Sequence, residues 1–416
     1  MIERLAVGHD DAVAVARHVR GYAPAPAAVH EVVAGIVASV EEGGDGALFM
    51  HERRFGGGDV PLRVPAEELA GALAALDPAV RDALELAHAN VTSVAAAGLG
   101  EDREVTLPQG QRVRVRELPV RRAAVYAPGG RQPYPSSVVM GVATARVAGV
   151  DEIVVAAPGH PVILAACALC EVDEVYRMGG AQAIAALALG TETIPRVDVI
   201  VGPGNLYVQE AKRQVSGRVG IDGFAGPSDL LVLASAGADP HLAALDLLAQ
   251  AEHGTTSLVV AVSDDGAFLD ALGRELQGLF GARPSIAGGP KVLVDAPGPD
   301  AALAFAEAFA PEHLELVGAA AEALAPQVRS AGCLFVGAAS ATAFGDYVAG
   351  SNHILPTDGA ARFASGLHTG HFRRRMNEVR IGDAADALAP PGAAIAEAEG
   401  FAVHAESMSA RIRQNR

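Results

Sequence analysis

The sequence predicts an α/β protein of two Rossmann-like parallel-sheet units, with a helical N-terminal segment and a C-terminal helical tail. Short apolar, β-branched runs alternate with alanine-rich helical patterns, which is typical of parallel sheets with crossover helices. The chain has 416 residues and 50% of them are hydrophobic, enough for more than one core without disulfides. The units are atypical because no G-x-G-x-x-G fingerprint follows the predicted strands.

The N-terminal quarter of the chain is predicted to be helical. Apolar residues recur at three- and four-residue spacing over 29–40 and 66–97, and glycines at 43–44 and 56–58 interrupt them. We expect residues 1–22 to form a helical N-terminal arm.

Nine strands are predicted, in two consecutive sets. The first set covers residues 120–126, 152–157, 174–178 and 197–201, and the second covers 230–234, 258–262, 292–294, 314–317 and 334–336. After about residue 366 the strand signals stop. The tail from Phe372 to Arg416 is therefore predicted to be loop and helix.

Charge and composition exclude several classes of function. The formal charge of −17 repels nucleic-acid phosphates. The start of the chain lacks a signal-peptide pattern, and no apolar run reaches the ~18 residues of a membrane span. We expect a soluble, cytoplasmic protein without nucleic-acid or membrane partners. Lysine occurs only as Lys212 and Lys291, which makes Schiff-base chemistry improbable.

The three cysteines are predicted to be core residues rather than nucleophiles. Cys167 and Cys170 lie in an apolar helical run, and Cys333 precedes a predicted strand. No nearby basic residue would lower the pKa of the first two thiols.

Polar side chains stand beside glycines at three strand ends of the first unit. They are Tyr126, Gln182 and Asn205. Ligands of parallel sheets bind at such ends, because backbone and helix N-termini can approach closely there. Each glycine loop alone is also compatible with a structural turn.

Several acid, amide and imidazole side chains follow in the second unit. Gln250 and His253 fall on one stripe of a predicted helix over 239–254 and could bind one metal ion, although a histidine near a helix C-terminus is also favoured by the dipole. Glu312 and His313 could act together in general acid–base catalysis, or they could be an ordinary pair of surface residues. Two further groups lie in the loop and tail after the last strand: Asp346 with His353, and Glu399 with His404.

The order of these segments resembles the histidinol dehydrogenase family over nearly the whole chain. The matching segments are YAPGG at 126–130, GGAQAIAAL at 179–187, GPGNLYV at 202–208, EAKR at 210–213, GPS at 226–228, QAEHG at 250–254, APEHLE at 310–315, GDY at 345–347, Asn352-His353, and Glu399 five residues before His404.

The resemblance implies a set of site residues. Zinc would be bound by Gln250, His253, Asp346 and His404. The substrate, L-histidinol, would contact these four ligands together with Ser228, His313, His353 and Glu399. NAD would contact Tyr126, Gln182 and Asn205.

The resemblance also implies the reaction: L-histidinol is oxidised to L-histidinaldehyde and then to L-histidine, with one NAD reduced at each stage. His313 would remove the alcohol proton, and Glu312 would activate the water that hydrates the aldehyde. No cysteine thioester is then needed, which agrees with the interpretation of the three thiols.

Four regions are expected on this basis. Residues 1–22 are the N-terminal arm, 119–228 the NAD-binding domain, 23–118 with 229–366 the zinc- and substrate-binding domain, and 367–416 a tail exchanged between the subunits of a homodimer.

Two alternatives remain open. Relatives with the same zinc and base residues oxidise other small polyols, such as sulfonated diols, so the motifs do not fix the substrate. A zinc- or nucleotide-responsive binding protein is the second alternative. The presence of both Glu312 and His313 favours an enzyme over a pure binder.

Overall fold

The computed structural model describes residues 2–8, 10–23, 29–58, 60–129, 132–223, 226–281, 283, 285–286 and 288–413. The chain divides into a first unit of residues 1–98 and 120–372 and a second unit of residues 99–119 and 373–416. Among the described residues, the helices are all too short or too polar to cross a lipid bilayer.

The strands, in chain order, are β1 (Ile2–Ala6), β2 (Arg103–Thr106), β3 (Arg112–Pro119), β4 (Arg122–Tyr126), β5 (Glu152–Ala157), β6 (Glu174–Arg177), β7 (Val199–Val201), β8 (Gly220–Ile221), β9 (Asp229–Ala234), β10 (Leu258–Ser263), β11 (Lys291–Asp295), β12 (His313–Val317), β13 (Cys333–Val336) and β14 (Arg373–Arg380).

The helices are α1 (Ala12–Arg20), α2 (His30–Phe55), α3 (Ala66–Ala74), α4 (Pro78–Ala97), α5 (Pro135–Ala148), α6 (Pro161–Leu169), α7 (Gly180–Leu189), α8 (Leu206–Val215), α9 (Pro240–Ala251), α10 (Gly266–Phe280), α11 (Pro299–Phe309), α12 (Ala319–Glu322), α13 (Thr342–Tyr347), α14 (Ala385–Ala398) and α15 (Ala402–Ser409).

The first unit contains two parallel sheets, as the sequence predicts. The five-stranded sheet has the order β6-β5-β4-β7-β8, and the six-stranded sheet has the order β1-β11-β10-β9-β12-β13. Every strand pair in both sheets is parallel. All nine predicted strands are present, because continuous apolar runs between helical segments are a strong signal for buried parallel strands.

The N-terminal segment differs from the predicted helical arm. Its first residues form β1, which pairs with β11 over five positions, and only α1 is helical. A short run of charged and apolar residues carries little intrinsic preference, so pairing with the sheet edge decides its structure.

The helices α2, α3 and α4 pack on the five-stranded sheet, whereas residues 23–118 were expected to join the zinc- and substrate-binding domain. Val33 and Leu48 of α2 share a core with Ala124 of β4, and Leu84 of α4 shares another with Val125. Helical periodicity reveals that a helix has a buried face but does not identify the sheet it covers.

The second unit combines a small antiparallel sheet with two helices. Its strand order is β14-β3-β2, and β14 pairs with β3 over eight residues. The helices α14 and α15 confirm the predicted helical tail, but the absence of strands after residue 366 was wrong. The sequence of β14, RRRMNEVR, lacks the apolar alternation from which strands are predicted.

Candidate active site

Two different sheet edges line one cavity of about 2020 Å³ in the first unit. We call the ends of β4, β6 and β7, with the glycine loops after them, the carboxyl edge of the five-stranded sheet. We call the starts of β9, β10 and β12, with the residues just before them, the amino edge of the six-stranded sheet. The candidate cofactor residues lie at the carboxyl edge, and the candidate bases at the amino edge.

Tyr126 ends β4 and is buried. Its hydroxyl accepts a hydrogen bond from the Gly180 backbone N–H at 3.0 Å, which ties β4 to the loop that starts α7. Burial raises the pKa of Tyr126 to about 12, so the phenol stays neutral. The adjoining Gly130 of the predicted motif lies outside the described residues.

Gln182 is held by a residue that the sequence did not single out. Its Nε2 donates to Glu52 Oε1 at 2.8 Å, and the Gly179 N–H donates to the same oxygen at 3.1 Å. Burial raises the pKa of Glu52, and these two hydrogen bonds act in the opposite direction. Glu52, on α2, therefore organises the loop before α7.

Asn205 caps α8, since its Oδ1 accepts from the backbone N–H groups of Tyr207 (3.0 Å) and Val208 (3.2 Å). Gly202, three residues earlier, has φ +125°, and an added Cβ would lie 2.1 Å from the Tyr126 carbonyl oxygen. Glycine is therefore required where β7 passes β4. This close approach explains the GPGN pattern physically.

A buried ion pair supports the same loop. Lys212 Nζ donates to the Gly202 carbonyl at 3.0 Å and contacts the Asp222 carboxylate, whose Oδ2 accepts from the Gly202 N–H at 2.7 Å. Lys212 is 1% exposed. It thus has a structural partner at this loop, and sequence analysis had considered it only as a Schiff-base candidate.

Glu312 is a buried carboxyl group at the amino edge. Its Oε2 accepts hydrogen bonds from the Ser228 hydroxyl and from the Asp229 N–H at 3.0 Å. Burial raises the pKa of Glu312 to about 7, with a smaller contribution from the charge of Asp229. His313 and these hydrogen bonds act in the opposite direction. A carboxyl group with this pKa can gain and lose a proton near neutral pH.

His313 begins β12 and is also buried. Its Nδ1 lies 3.1 Å from the Asp229 carbonyl oxygen. Because a carbonyl only accepts, we assign the proton to Nδ1, which leaves Nε2 as the basic atom when the ring is neutral. Burial lowers the pKa of His313, but the charges of Glu312 and Asp346 outweigh it and raise the value to about 9.

Gln250 is buried in the last turn of α9. This helix begins where the sequence predicts, because Asp239 caps it and Pro240 occupies its first position. The Gln250 Nε2 donates to the hydroxyls of Ser228 (2.8 Å) and Ser257 (3.2 Å). With the amide nitrogen so engaged, the carbonyl oxygen Oε1 is the atom available to a cation.

His253 and Asp346 are brought to the same cavity from different elements. Desolvation by the cavity walls lowers the pKa of His253, while the negative charge of Asp346 opposes this. Burial would raise the pKa of Asp346, but the neighbouring His313, His353 and His253 overcome it and lower the value. A neutral imidazole and an ionised carboxylate therefore face the cavity together.

Gly345 and His353 fix the position of Asp346. A Cβ on Gly345 would lie 2.6 Å from the Phe335 ring, so only glycine lets α13 approach β13. His353 Nδ1 lies 2.8 Å from the Asp346 carbonyl oxygen, and its Nε2 lies 3.0 Å from the Ser137 hydroxyl. Burial lowers the pKa of His353 and keeps the ring neutral.

Glu399 and His404 belong to the second unit. Glu399 follows the last residue of α14, His404 lies on α15, and both are exposed. Three large hydrophobic residues here are exposed: Ile395 on α14 (63%), Phe401 just before α15 (54%) and Val403 on α15 (73%). Exposed apolar residues of this size are typical of a surface that a partner covers.

The donors of the first unit fit a divalent cation such as zinc. Gln250 supplies an amide oxygen, His253 a neutral imidazole and Asp346 an ionised carboxylate, all within the ligand chemistry of zinc. Over the described part of the chain, no three His, Cys, Asp or Glu side chains are grouped as a metal site. The first unit thus contains three of the four predicted ligands, and the fourth, His404, lies in the second unit.

The cysteines have the properties of structural residues. Cys167 and Cys170 are buried in the core, where desolvation raises their thiol pKa, that of Cys170 to about 12. Cys333 is half-buried opposite His313 in the register of β12 and β13, and burial raises its pKa as well. A thiol with a raised pKa is a poor nucleophile.

The fold and the site define an α/β protein with a buried acid–base pair beside three candidate metal-binding side chains. A family model described as histidinol dehydrogenase matches residues 23–412. The chain therefore belongs to the histidinol dehydrogenase family, as its motifs indicated.

Relatives and a solved structure agree with this assignment. The chain is 42% identical to the histidinol dehydrogenase of Gluconobacter oxydans, covering 93% of this chain and 94% of that one. It is 43% identical to the histidinol dehydrogenase of Rhodospirillum rubrum, covering 92% of each. The crystal structure of histidinol dehydrogenase from Elizabethkingia anophelis aligns with a TM-score of 0.87 at 30% identity, covering 92% of both chains.

Proposed function

We propose that this chain is a zinc-containing, NAD-dependent dehydrogenase that oxidises L-histidinol to L-histidinaldehyde and then to L-histidine, the last two steps of histidine biosynthesis. The observation that carries the proposal is the pairing of Glu312 and His313 at one buried edge. Their side chains approach to 3.7 Å, and their pKa values are about 7 and 9. Membership of the histidinol dehydrogenase family supplies the substrate.

In the first oxidation His313 takes the alcohol proton at Nε2 while the carbon loses hydride. The Asp229 carbonyl fixes the orientation of the ring through Nδ1. NAD, when bound at the carboxyl edge, supplies the hydride acceptor. The products of this step are the aldehyde, NADH and a protonated His313.

In the second oxidation Glu312 takes a proton from the water that adds to the aldehyde carbon. Ser228 and the Asp229 N–H hold the Glu312 carboxylate in place. The aldehyde oxygen takes the proton that His313 gained in the first oxidation, so the hydrate is again an alcohol. Neutral His313 then removes the hydrate proton as a second hydride leaves to a second NAD. The product is the carboxylate of L-histidine.

Gln250, His253 and Asp346 would hold zinc, completed by His404. When bound, zinc supplies a template that anchors the imidazole and amino nitrogens of the substrate and a positive charge that lowers the proton affinity of His313. Ser228 and His353 are the proposed further substrate contacts of the first unit.

The proposed active site is shared between the two subunits of a homodimer. Glu399 and His404 would reach the zinc and substrate of the partner subunit. The exposed apolar residues of α14 and α15 support this arrangement, because a partner would cover them.

The proposal is tested by incubating zinc-loaded protein with NAD and either L-histidinol or a sulfonated diol of similar size. We expect about two NADH per L-histidinol with little free aldehyde, because both bases are present. Preference for the diol would refute the substrate assignment and leave the base and metal assignments standing. Zinc binding without turnover of either compound would favour the binding-protein alternative.

A further inference from the structure

The carboxyl group of Glu312 is coupled to a second buried carboxyl group, that of Asp229. The Asp229 N–H donates to Glu312 Oε2 at 3.0 Å, and the Glu312 N–H donates to Asp229 Oδ1 at 2.8 Å. These reciprocal bonds join the starts of the paired strands β9 and β12. Asp229 is 0% exposed, so its charge requires a partner inside the protein.

Arg20, at the end of α1, is that partner. Its Nη1 contacts Asp229 Oδ2 at 2.5 Å, and its Nη2 donates to the backbone carbonyls of Phe309 (2.7 Å) and Ala310 (3.0 Å). The guanidinium also lies 3.7 Å from the centre of the Phe309 ring. Its position is therefore fixed from several sides, and a lysine would keep the charge but not all of these contacts.

The groups around Glu312 have opposing effects on its charge. Besides burial, Asp229 on β9 favours the protonated form, whereas His313 on β12 favours the carboxylate. Arg20 on α1 faces Asp229 and balances its negative charge. On the neighbouring β13 the titratable group is Cys333, whose thiol pKa is raised by burial.

We propose that Arg20 and Asp229 are a positioning pair that sets how readily Glu312 takes up a proton during aldehyde oxidation. The inference rests on the proposed role of Glu312. Neither residue needs to touch the substrate. Asp229 holds the Glu312 main chain and raises the proton affinity of the Glu312 carboxyl group. Arg20 limits that rise.

The two members of the pair carry opposite charges, so removing one or the other should shift the titration midpoint of Glu312 in opposite directions. Asp229→Asn removes a negative neighbour and should move the Glu312 titration midpoint down by about one pH unit. Arg20→Gln removes the positive charge that balances Asp229 and should move it up by a similar amount. Arg20→Lys keeps the charge and should leave the midpoint near the wild-type value.

Infrared titration of zinc-loaded protein measures this midpoint directly, from the C=O stretch of the protonated carboxyl group. The Glu312→Gln variant lacks this carboxyl group, so the band that disappears in its spectrum is assigned to Glu312. Arg4→Gln is the matched control, because Arg4 also lies near the N-terminus and pairs with two carboxylates, Asp270 and Asp295, that make no contact with Glu312. The control should leave the midpoint unchanged.

The pH profile of aldehyde oxidation should follow the infrared midpoints. Opposite shifts in Asp229→Asn and Arg20→Gln support the pair, whereas lower rates with unmoved midpoints would show a purely structural role and overturn the inference. If Arg20→Gln does not fold, Asp229→Asn decides alone: an unchanged midpoint contradicts the proposal. Absence of aldehyde oxidation in the wild type would refute the proposed function, while the infrared midpoints would still test the pair.

Discussion

The two parallel sheets of the first unit contribute opposite edges to one cavity. The five-stranded sheet presents its carboxyl edge, where glycine loops, Tyr126 and Gln182 lie. At the other end of its strands, Arg122 forms ion pairs with Glu152 and Glu174. The six-stranded sheet presents its amino edge, where Asp229 and His313 begin their strands.

Ligand binding and catalysis can thus be divided between the carboxyl edge and the amino edge. Ligands of open α/β sheets bind at carboxyl ends, where glycines and helix N-termini supply N–H groups, and the five-stranded sheet follows this rule. The six-stranded sheet departs from it and presents titratable groups instead. We therefore expect changes at the carboxyl edge to alter cofactor binding and changes at the amino edge to alter catalysis.

The largest effect is expected for His313→Ala. Loss of the base for both alcohol protons should lower kcat of both oxidations by about 10²- to 10⁴-fold, with little change in the KM for NAD. Steady-state kinetics with histidinol and with added aldehyde would measure this. A loss confined to one oxidation would break the assignment of a single base to both steps.

Subunit complementation tests whether the second unit completes the site of a partner. A chain with His404→Ala is mixed with one carrying Glu312→Gln, each nearly inactive for histidine formation alone. In a mixed dimer one site carries both changes and the other neither, so an equal mixture should recover about one quarter of wild-type activity.

Mass spectrometry of the mixture is the control for this experiment, since it shows whether subunits have exchanged. Full exchange without recovered activity would mean that His404 serves its own chain.

A smaller effect is expected at the carboxyl edge. Gln182→Leu removes the hydrogen bond to Glu52 and a proposed cofactor contact, and should raise the KM for NAD by about five- to tenfold while kcat stays nearly constant. Initial rates at varied NAD would test this. A fall in kcat without a change in KM would contradict the division between the edges.

The smallest effect is a pH dependence of the second oxidation. Glu312 must be ionised to accept a proton, and its pKa is about 7, so the rate should fall as the pH drops through 7. Between pH 8 and 6.5 the ionised fraction of Glu312 falls about fourfold, so the rate should fall by at least this factor, because His313, with a pKa of about 9, must also be neutral. Rates of aldehyde oxidation that stay flat over this range would show that Glu312 is not the base.

Sequence patterns predicted most of the fold because they report local preferences. The apolar runs from β4 to β13 identify buried strands, but β14, with its arginines, is a strand only because β3 pairs with it. In the same way, the periodicity of α2 indicates that the helix has a buried face but does not identify the sheet on which it packs.

The site was predictable where residue types repeat a family pattern, and not where partners meet only after folding. Tyr126, Gln182 and the pair Glu312-His313 stood out in the sequence. Glu52 did not, because it lies 130 positions from the Gln182 amide that it binds. The role of Arg20 also depends on a residue far away in the sequence, since Arg20 contacts Asp229, which lies 209 positions later.

We propose that, of the two bases at the amino edge, His313 serves both oxidations and Glu312 only the second. Counting NADH released per L-histidinol by the Glu312→Gln variant tests it most directly. We expect about one NADH and accumulated aldehyde, against about two NADH and histidine in the wild type. Two NADH at an undiminished rate, or loss of the first hydride transfer as well, would contradict it.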